Sequence, residues 1–196
     1  MSPTLPEPGP RDGAPLRIFF ALWPDAGARD ALWALARDTA AQTRGRAPPA
    51  GNLHLTLAFL GDVATARIAA LHVLGSTVAS AVPPFTLTLD RVGAFGDGGI
   101  AWAGTSAAPR ELERLVQSLN GALAKEGFPT ERRAFHPHVT LARHCRRPAG
   151  TGTAAPVAWR VERITLNASE LSPRGPRYRE LGAWPLGLRT TDGGAT

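Results

Sequence analysis

Hydrophobic and polar positions change period several times along the chain. Leu16–Leu22 is apolar at all but Arg17 and carries Phe19 and Phe20, the composition of a central strand buried on both faces. Pro24 and Asp25 then open a helical stretch, with Ala31, Leu32, Leu35 and Ala36 at helical spacing to about Gln42. A Pro/Gly loop follows over 44–51, and 52–60 alternates as a strand. Residues 64–81 are helical, with Ile68, Leu71, Val78 and Val82 apolar, until Pro83-Pro84 stops the helix. Phe85, Leu87 and Leu89 alternate with Thr86, Thr88 and Asp90, and a glycine turn at 96–99 leads to a partner strand at 100–104. The strongest helix is 108–126, where Leu112, Leu115, Val116, Leu119 and Leu123 recur at 3.6-residue spacing and Gly127 supplies the stop. Beyond it the pattern predicts a strand at 137–143, a loop at 145–156, one long strand over 157–171, a turn at 172–176 and a short strand at 178–181.

This order, β α β α β β α β β β, favours an α+β fold with antiparallel pairing over a doubly wound sheet. Residues 1–15 are rich in Pro and Gly and read as a flexible tail, as do residues 190–196. The expectation is one folded domain over 16–189.

The chain has 196 residues, a formal net charge of +6 and a pI of about 11.1. Lys125 is its only lysine, so the basic excess is arginine. That charge permits an anionic partner such as RNA or phosphate, but arginine-rich surfaces also arise from composition alone. A single cysteine, Cys145, excludes an internal disulfide framework and any multi-cysteine zinc module. No apolar run approaches the ~18 residues of a membrane span, and the N-terminus does not read as a signal peptide, so a cytoplasmic location is expected. No Gly-x-x-x-x-Gly-Lys loop or Gly-x-Ser-x-Gly elbow is present, which argues against ATP-driven ligation and against a serine hydrolase.

One feature carries chemistry. His54-Leu55-Thr56-Leu57 and His138-Val139-Thr140-Leu141 repeat the same pattern, each in strand-forming sequence after a turn-prone stretch. A shuffle of this composition yields only about 0.05 copies of His-x-Thr-Leu, so the pair is not chance. Side chains two apart on a strand share a face, so His54 and Thr56 project together, as do His138 and Thr140, while the intervening Leu and Val positions face the core. If the two strands meet, one cleft holds two imidazoles and two hydroxyls. One imidazole can then act as base and the other as acid, while the hydroxyls donate to phosphate oxygens. Hydrolysis of a cyclic phosphate needs that set and requires no metal or other cofactor.

The paired motifs resemble the two His-x-Thr signatures of the 2H phosphoesterase superfamily. They are most similar to those of the RNA 2′,3′-cyclic phosphodiesterases, also called the 2′-5′ RNA ligase family. The resemblance extends to Arg17-Ile18-Phe19-Phe20-Ala21-Leu22, to Asn52 through Gly61, to Phe135 through Arg143, and to Gly175-Pro176-Arg177-Tyr178 with Trp184-Pro185-Leu186. It implies two pseudo-symmetric lobes of mostly antiparallel sheet with flanking helices around a central cleft. It further implies hydrolysis of a terminal RNA or nucleoside 2′,3′-cyclic phosphate to a 2′-phosphomonoester. His54 would protonate the leaving O3′, His138 would activate water, and Thr56 and Thr140 would hold the phosphate. Arg143 corresponds to a phosphate-binding arginine, but strand parity sends it to the face opposite His138 unless a bulge or the strand end redirects it. His136 shares the face of His138 and is a candidate lining residue. His72 and His144 read as structural or surface positions.

Three rivals remain at this level. Reversal of related chemistry would make the protein a 2′-5′ RNA ligase. Arg132, Arg133, Arg143, Arg146 and Arg147, with Phe19, Trp23 or Phe59 stacking on bases, would suit a non-catalytic RNA-binding module. His136, His138, His144 and Cys145 are nominal zinc ligands, although no carboxylate lies near them. The expected partners are an RNA end or a small cyclic nucleotide, with no membrane or protein partner, and the chain is expected to be a monomer.

Overall fold

The computed structural model describes residues 14–96, 99–131, 133–147, 149–172 and 175–187. Most of the two expected tails, Arg132 and the tips of the predicted turns at 96–99 and 172–176 therefore lie outside the described residues.

β1 (Leu16–Leu22) sits between two antiparallel neighbours, and Ile18, Phe20, Ala21 and Leu22 are fully buried, as a near-continuous apolar run requires. α1 (Ala26–Thr43) starts where the Asp25 carboxylate accepts the Ala28 N–H at 2.8 Å. β2 (Leu55–Val63) follows, then α2 (Ile68–Ser80), entered through a single 3-10 turn. β3 (Phe85–Phe95) and β4 (Ile100–Gly104) form a hairpin. α3 (Arg110–Lys125) buries all five of the residues that its spacing predicts. β5 (His138–Arg143), β6 (Gly152–Val161), β7 (Arg163–Ser172) and β8 (Gly175–Pro185) complete the chain.

The eight strands form one sheet in the order β6-β3-β4-β5-β2-β1-β7-β8, and every pairing is antiparallel. It divides into two four-stranded halves, each with a motif strand at its inner edge. Among the described residues, the two halves of the sheet pair where Leu55 of β2 meets Val139 of β5. α1 leaves the first half and packs on β5 and β6 of the second, whereas α2 lies on β7 and β8 and α3 packs on α2 and β2. This is the α+β, pseudo-symmetric antiparallel architecture that the sequence suggests.

The expected single strand over 157–171 is corrected. It divides at Glu162, and β6 begins earlier, within the predicted loop. Up to Val161 the chain lies along β3 at one end of the sheet; from Arg163 it runs beside β1 in the other half. The apolar phase slips at the break: Trp159 and Val161 are buried before it, and Ile164, Leu166 and Ala168 after it. That slip is the local trace of a change of partner. The start of β6 is hidden because Gly152, Thr153 and Ala154 offer no alternation, yet Gly152 and Thr153 pair with Val92 and Arg91.

Candidate active site

Each motif histidine is held by its own backbone. His54 Nδ1 lies 2.7 Å from the carbonyl oxygen of Asn52, and His138 Nδ1 lies 2.7 Å from that of His136. A carbonyl only accepts, so both Nδ1 atoms carry the proton and donate it. Nε2 of each ring is thereby left as the titrating nitrogen. The two halves use the same device, a donor bond to the residue two positions upstream.

Antiparallel pairing of Leu55 with Val139 places Thr140 opposite His54 and Thr56 opposite His138 on one face. All four side chains line a single cavity of about 590 Å³. Arg143 lines it too. Strand parity alone sends that residue away, and the pairing shows what returns it: Thr140 pairs with Trp102 and Ala142 with Ala101, so Leu141 is an extra, unpaired residue. The bulge shifts the phase by one and brings Arg143 to the face of His138 and Thr140. Arg46 is bridged to the same point, its N–H donating to the Arg143 carbonyl at 2.8 Å and its carbonyl accepting from the Arg143 N–H at 3.0 Å, and it also lines the cavity.

The surroundings of the rings are aromatic. His54 lies 5.2 Å from Phe19, 4.9 Å from Trp23 and 5.0 Å from Tyr178, centroid to centroid. Trp23 is anchored by its indole N–H, which donates to Thr165 Oγ1 at 2.9 Å; that hydroxyl also accepts from Asn167 Nδ2 and donates to the Ala21 carbonyl. Thr165 and Asn167 are buried, and the Thr165 hydroxyl makes three hydrogen bonds, so the network supports Trp23. Asn52 ties the β7–β8 hairpin to this side of the cavity, donating from Nδ2 to the Pro176 carbonyl at 2.8 Å. On the other side, Phe95 packs edge-on to His138 at 4.7 Å.

These environments disfavour charge on both imidazoles. Burial lowers the His54 pKa from 6.5 to about 4; the Asn52 carbonyl opposes the shift, and the positive charges of Arg143 and His138 add to it. Burial also lowers the His138 pKa, opposed by the His136 carbonyl and reinforced by His136 and Arg143. Burial raises the Tyr178 pKa, partly offset by Arg143.

The other sequence candidates fare differently. His136 is exposed and does not line the cavity; its ring packs on Trp102 at 4.7 Å, and its contribution is the carbonyl that orients His138. His144, read as a surface position, lies at the cavity's edge. His72 packs against Trp184, as a structural residue would. Phe19 is 3% exposed beneath His54 and is not placed to stack on a base; Phe59 is 48% exposed, with the Arg17 guanidinium 4.8 Å from its ring centroid, and does not line the cavity. Among the described residues no three His, Cys, Asp or Glu side chains gather as a metal site would need, which leaves the zinc reading without a ligand set. Tyr178, Asn52 and Arg46 escaped the site reading of the sequence. Asn52 had a signal, since it shares strand parity with His54 and Thr56; Arg46, in a Pro/Gly loop, had none.

Comparison with known proteins agrees with this geometry. The profile of the 2′-5′ RNA ligase superfamily matches residues 24–171. An RNA 2′,3′-cyclic phosphodiesterase of Escherichia coli is 35% identical over 177 residues, covering 88% of this chain and 97% of that protein. One of Thermus thermophilus is 33% identical, covering 87% and 90% respectively. The crystal structure of E. coli LigT complexed with 3′-AMP superposes with a TM-score of 0.80 at 34% identity, covering 89% of this chain and 99% of that one. No helix of the described residues is long and apolar enough to cross a membrane. On the extent of these matches, this chain belongs to the 2′-5′ RNA ligase superfamily and is homologous to its RNA 2′,3′-cyclic phosphodiesterases.

Proposed function

We propose that the protein hydrolyses a terminal 2′,3′-cyclic phosphate on RNA to a 2′-phosphomonoester, without a metal. The observation that carries this reading is the pair of equivalent imidazoles, each with Nδ1 tied to a carbonyl and Nε2 left to titrate, on one cavity with Thr56, Thr140 and Arg143.

In the reaction, water attacks phosphorus, the P–O3′ bond breaks, and one proton must leave the water while another reaches O3′. His138 takes the first through Nε2 and His54 delivers the second. The low pKa of His54 suits a donor that must surrender its proton readily; the anionic phosphate, once bound, favours the imidazolium it needs. The Thr56 and Thr140 hydroxyls donate to the non-bridging oxygens, and the Arg143 guanidinium balances the charge that builds there. The proton of each histidine comes from and returns to water, so no other reactant is consumed.

The test is turnover of a nucleoside 2′,3′-cyclic phosphate in excess EDTA, with the product identified by phosphorus NMR. A 2′-phosphomonoester is expected, and His54→Ala and His138→Ala should each lose at least ~10²-fold in kcat. Loss of activity in EDTA, a 3′-phosphate product, or a near wild-type rate in either variant would overturn the proposal.

A further inference from the structure

A second cleft opens beside the first. It is lined by Arg44, Gly45, Arg46, His144 and Arg146, and it shares Arg46 and His144 with the first cavity, so the two adjoin. Apart from one glycine, every lining residue is basic or imidazole, and no carboxylate intrudes.

The cleft is built by two chain segments locked to each other. The N–H groups of Arg146 and Arg147 donate to the Thr43 carbonyl at 2.9 and 3.1 Å, and Arg46 and Arg143 exchange backbone bonds. Arg44 and His144 are the only described non-glycine residues with positive φ, at 53° and 55°. Arg44 takes it as the left-handed C-cap of α1, its N–H turned back to the Ala40 and Ala41 carbonyls, and His144 takes it directly after β5. Gly45 lies between them because a Cβ there would sit 2.9 Å from Cys145 Sγ and 3.0 Å from the Arg143 carbonyl oxygen. The fold thus presses two arginine-bearing backbones together rather than spacing them apart.

These guanidiniums also lack local counter-charges. Arg29, Arg133, Arg160, Arg163 and Arg179 each pair with a carboxylate, but among the described residues Arg44, Arg46, Arg143 and Arg146 form no ion pair. A cluster of like charges held together without carboxylates is suited to an external anion.

We propose that this second cleft holds the internucleotide phosphate just upstream of the reacting end, with Arg44 and Arg146 as its ligands. The inference rests on the proposed phosphodiesterase reading and adds to it a preference for RNA strands over cyclic mononucleotides. A mononucleotide has one phosphate and fills only the catalytic cavity. A strand carries its next phosphate past the shared Arg46 and His144 into the adjoining cleft.

The experiment compares an RNA trinucleotide ending in a 2′,3′-cyclic phosphate with a nucleoside 2′,3′-cyclic phosphate, on wild type and on the double variant Arg44→Asn, Arg146→Gln. Asn tolerates the left-handed backbone at position 44. The variant should lose roughly tenfold in kcat/KM on the trinucleotide and less than about twofold on the mononucleotide. Its trinucleotide log–log salt dependence should flatten by about 0.7, as loss of one phosphate contact to a single strand requires. Mononucleotide turnover reports on the fold and on the basic reaction separately. Equal losses on both substrates, or no loss on the trinucleotide, would overturn the proposal while leaving the phosphodiesterase reading intact.

Discussion

Leu55 and Val139 pair with each other across the centre of the sheet, and each is the residue after a motif histidine. Equivalent positions of two repeats that pair antiparallel define a local two-fold axis between them. The axis relates His54 to His138 and Thr56 to Thr140, and it explains why two equivalent imidazoles converge on one cavity. The register slip is repeated as well. Phe20 pairs with Ala58 and Ala21 with Thr56, leaving Leu57 unpaired just as Leu141 is. The position equivalent to Arg143 is Phe59, so the charge of the site is asymmetric although its scaffold is not.

That asymmetry gives the first prediction. In the proposed mechanism the acid, His54, is needed only when the leaving oxygen is poor. On a phosphodiester with a p-nitrophenolate leaving group, His54→Ala should lose far less activity than on the cyclic phosphate, whereas His138→Ala should lose at least ~10²-fold on both. Rescue of the His138 variant instead would exchange the two roles.

Arg143→Ala removes the cation that the bulge at Leu141 delivers. A charge-assisted bond of roughly 1.5–3 kcal/mol corresponds to about a 10- to 150-fold loss in kcat/KM. The same change should raise the pKa values of both histidines, since Arg143 helps to lower them. A variant with lower activity and an unmoved pH profile would contradict the second half of this prediction.

The proposed mechanism needs one protonated and one neutral imidazole. In the free protein His54 titrates at about 4 and His138 below 6.5, so the singly protonated pair is most populated in acid. kcat/KM should therefore peak below pH 6.5 and fall as pH rises through neutrality. The kcat profile should lie at higher pH, because bound phosphate favours protonation. Steady-state pH profiles check both, and a kcat/KM maximum at pH 8 or above would contradict the assignment.

Stability should move in the opposite direction. His54 titrates at 6.5 when unfolded and at about 4 when folded, so the unfolded chain binds the extra proton between those values. The stabilising contribution is complete above pH 6.5 and is lost as pH falls toward 4. Urea denaturation should show wild type losing more stability than His54→Gln between pH 7 and 4.5. Parallel losses in the two proteins would count against the shift.

Gly75 lies within α2, where alanine ordinarily stabilises by up to about 1 kcal/mol. Here an added Cβ would lie 2.5 Å from the Trp184 ring, which is itself closed in by Gly182 and His72. Overpacking costs roughly 1–3 kcal/mol, and the helix gain offsets part of it, so a net loss of about 1 kcal/mol should lower the Tm of Gly75→Ala by about 2–4 °C in a thermal scan. A rise in Tm would show that Trp184 can yield.

The sequence by itself determined the local units: β1 from its apolar run, α3 from its leucine spacing, and the shared face of each His and Thr from strand parity. These depend on residues only a few positions apart, so periodicity records them. The family resemblance rests on the same local motifs. Tertiary structure decided what periodicity cannot encode. Parity places a side chain relative to its own strand but not relative to its partner, so the bulge that returns Arg143 to the cavity emerged only from the pairing with β4. The break at Glu162 is likewise a change of neighbour, from β3 to β1. The aromatic seat of His54 comes from residues far apart in the chain, Phe19 and Tyr178 among them. Its lowered pKa follows from that burial, which only the assembled sheet creates.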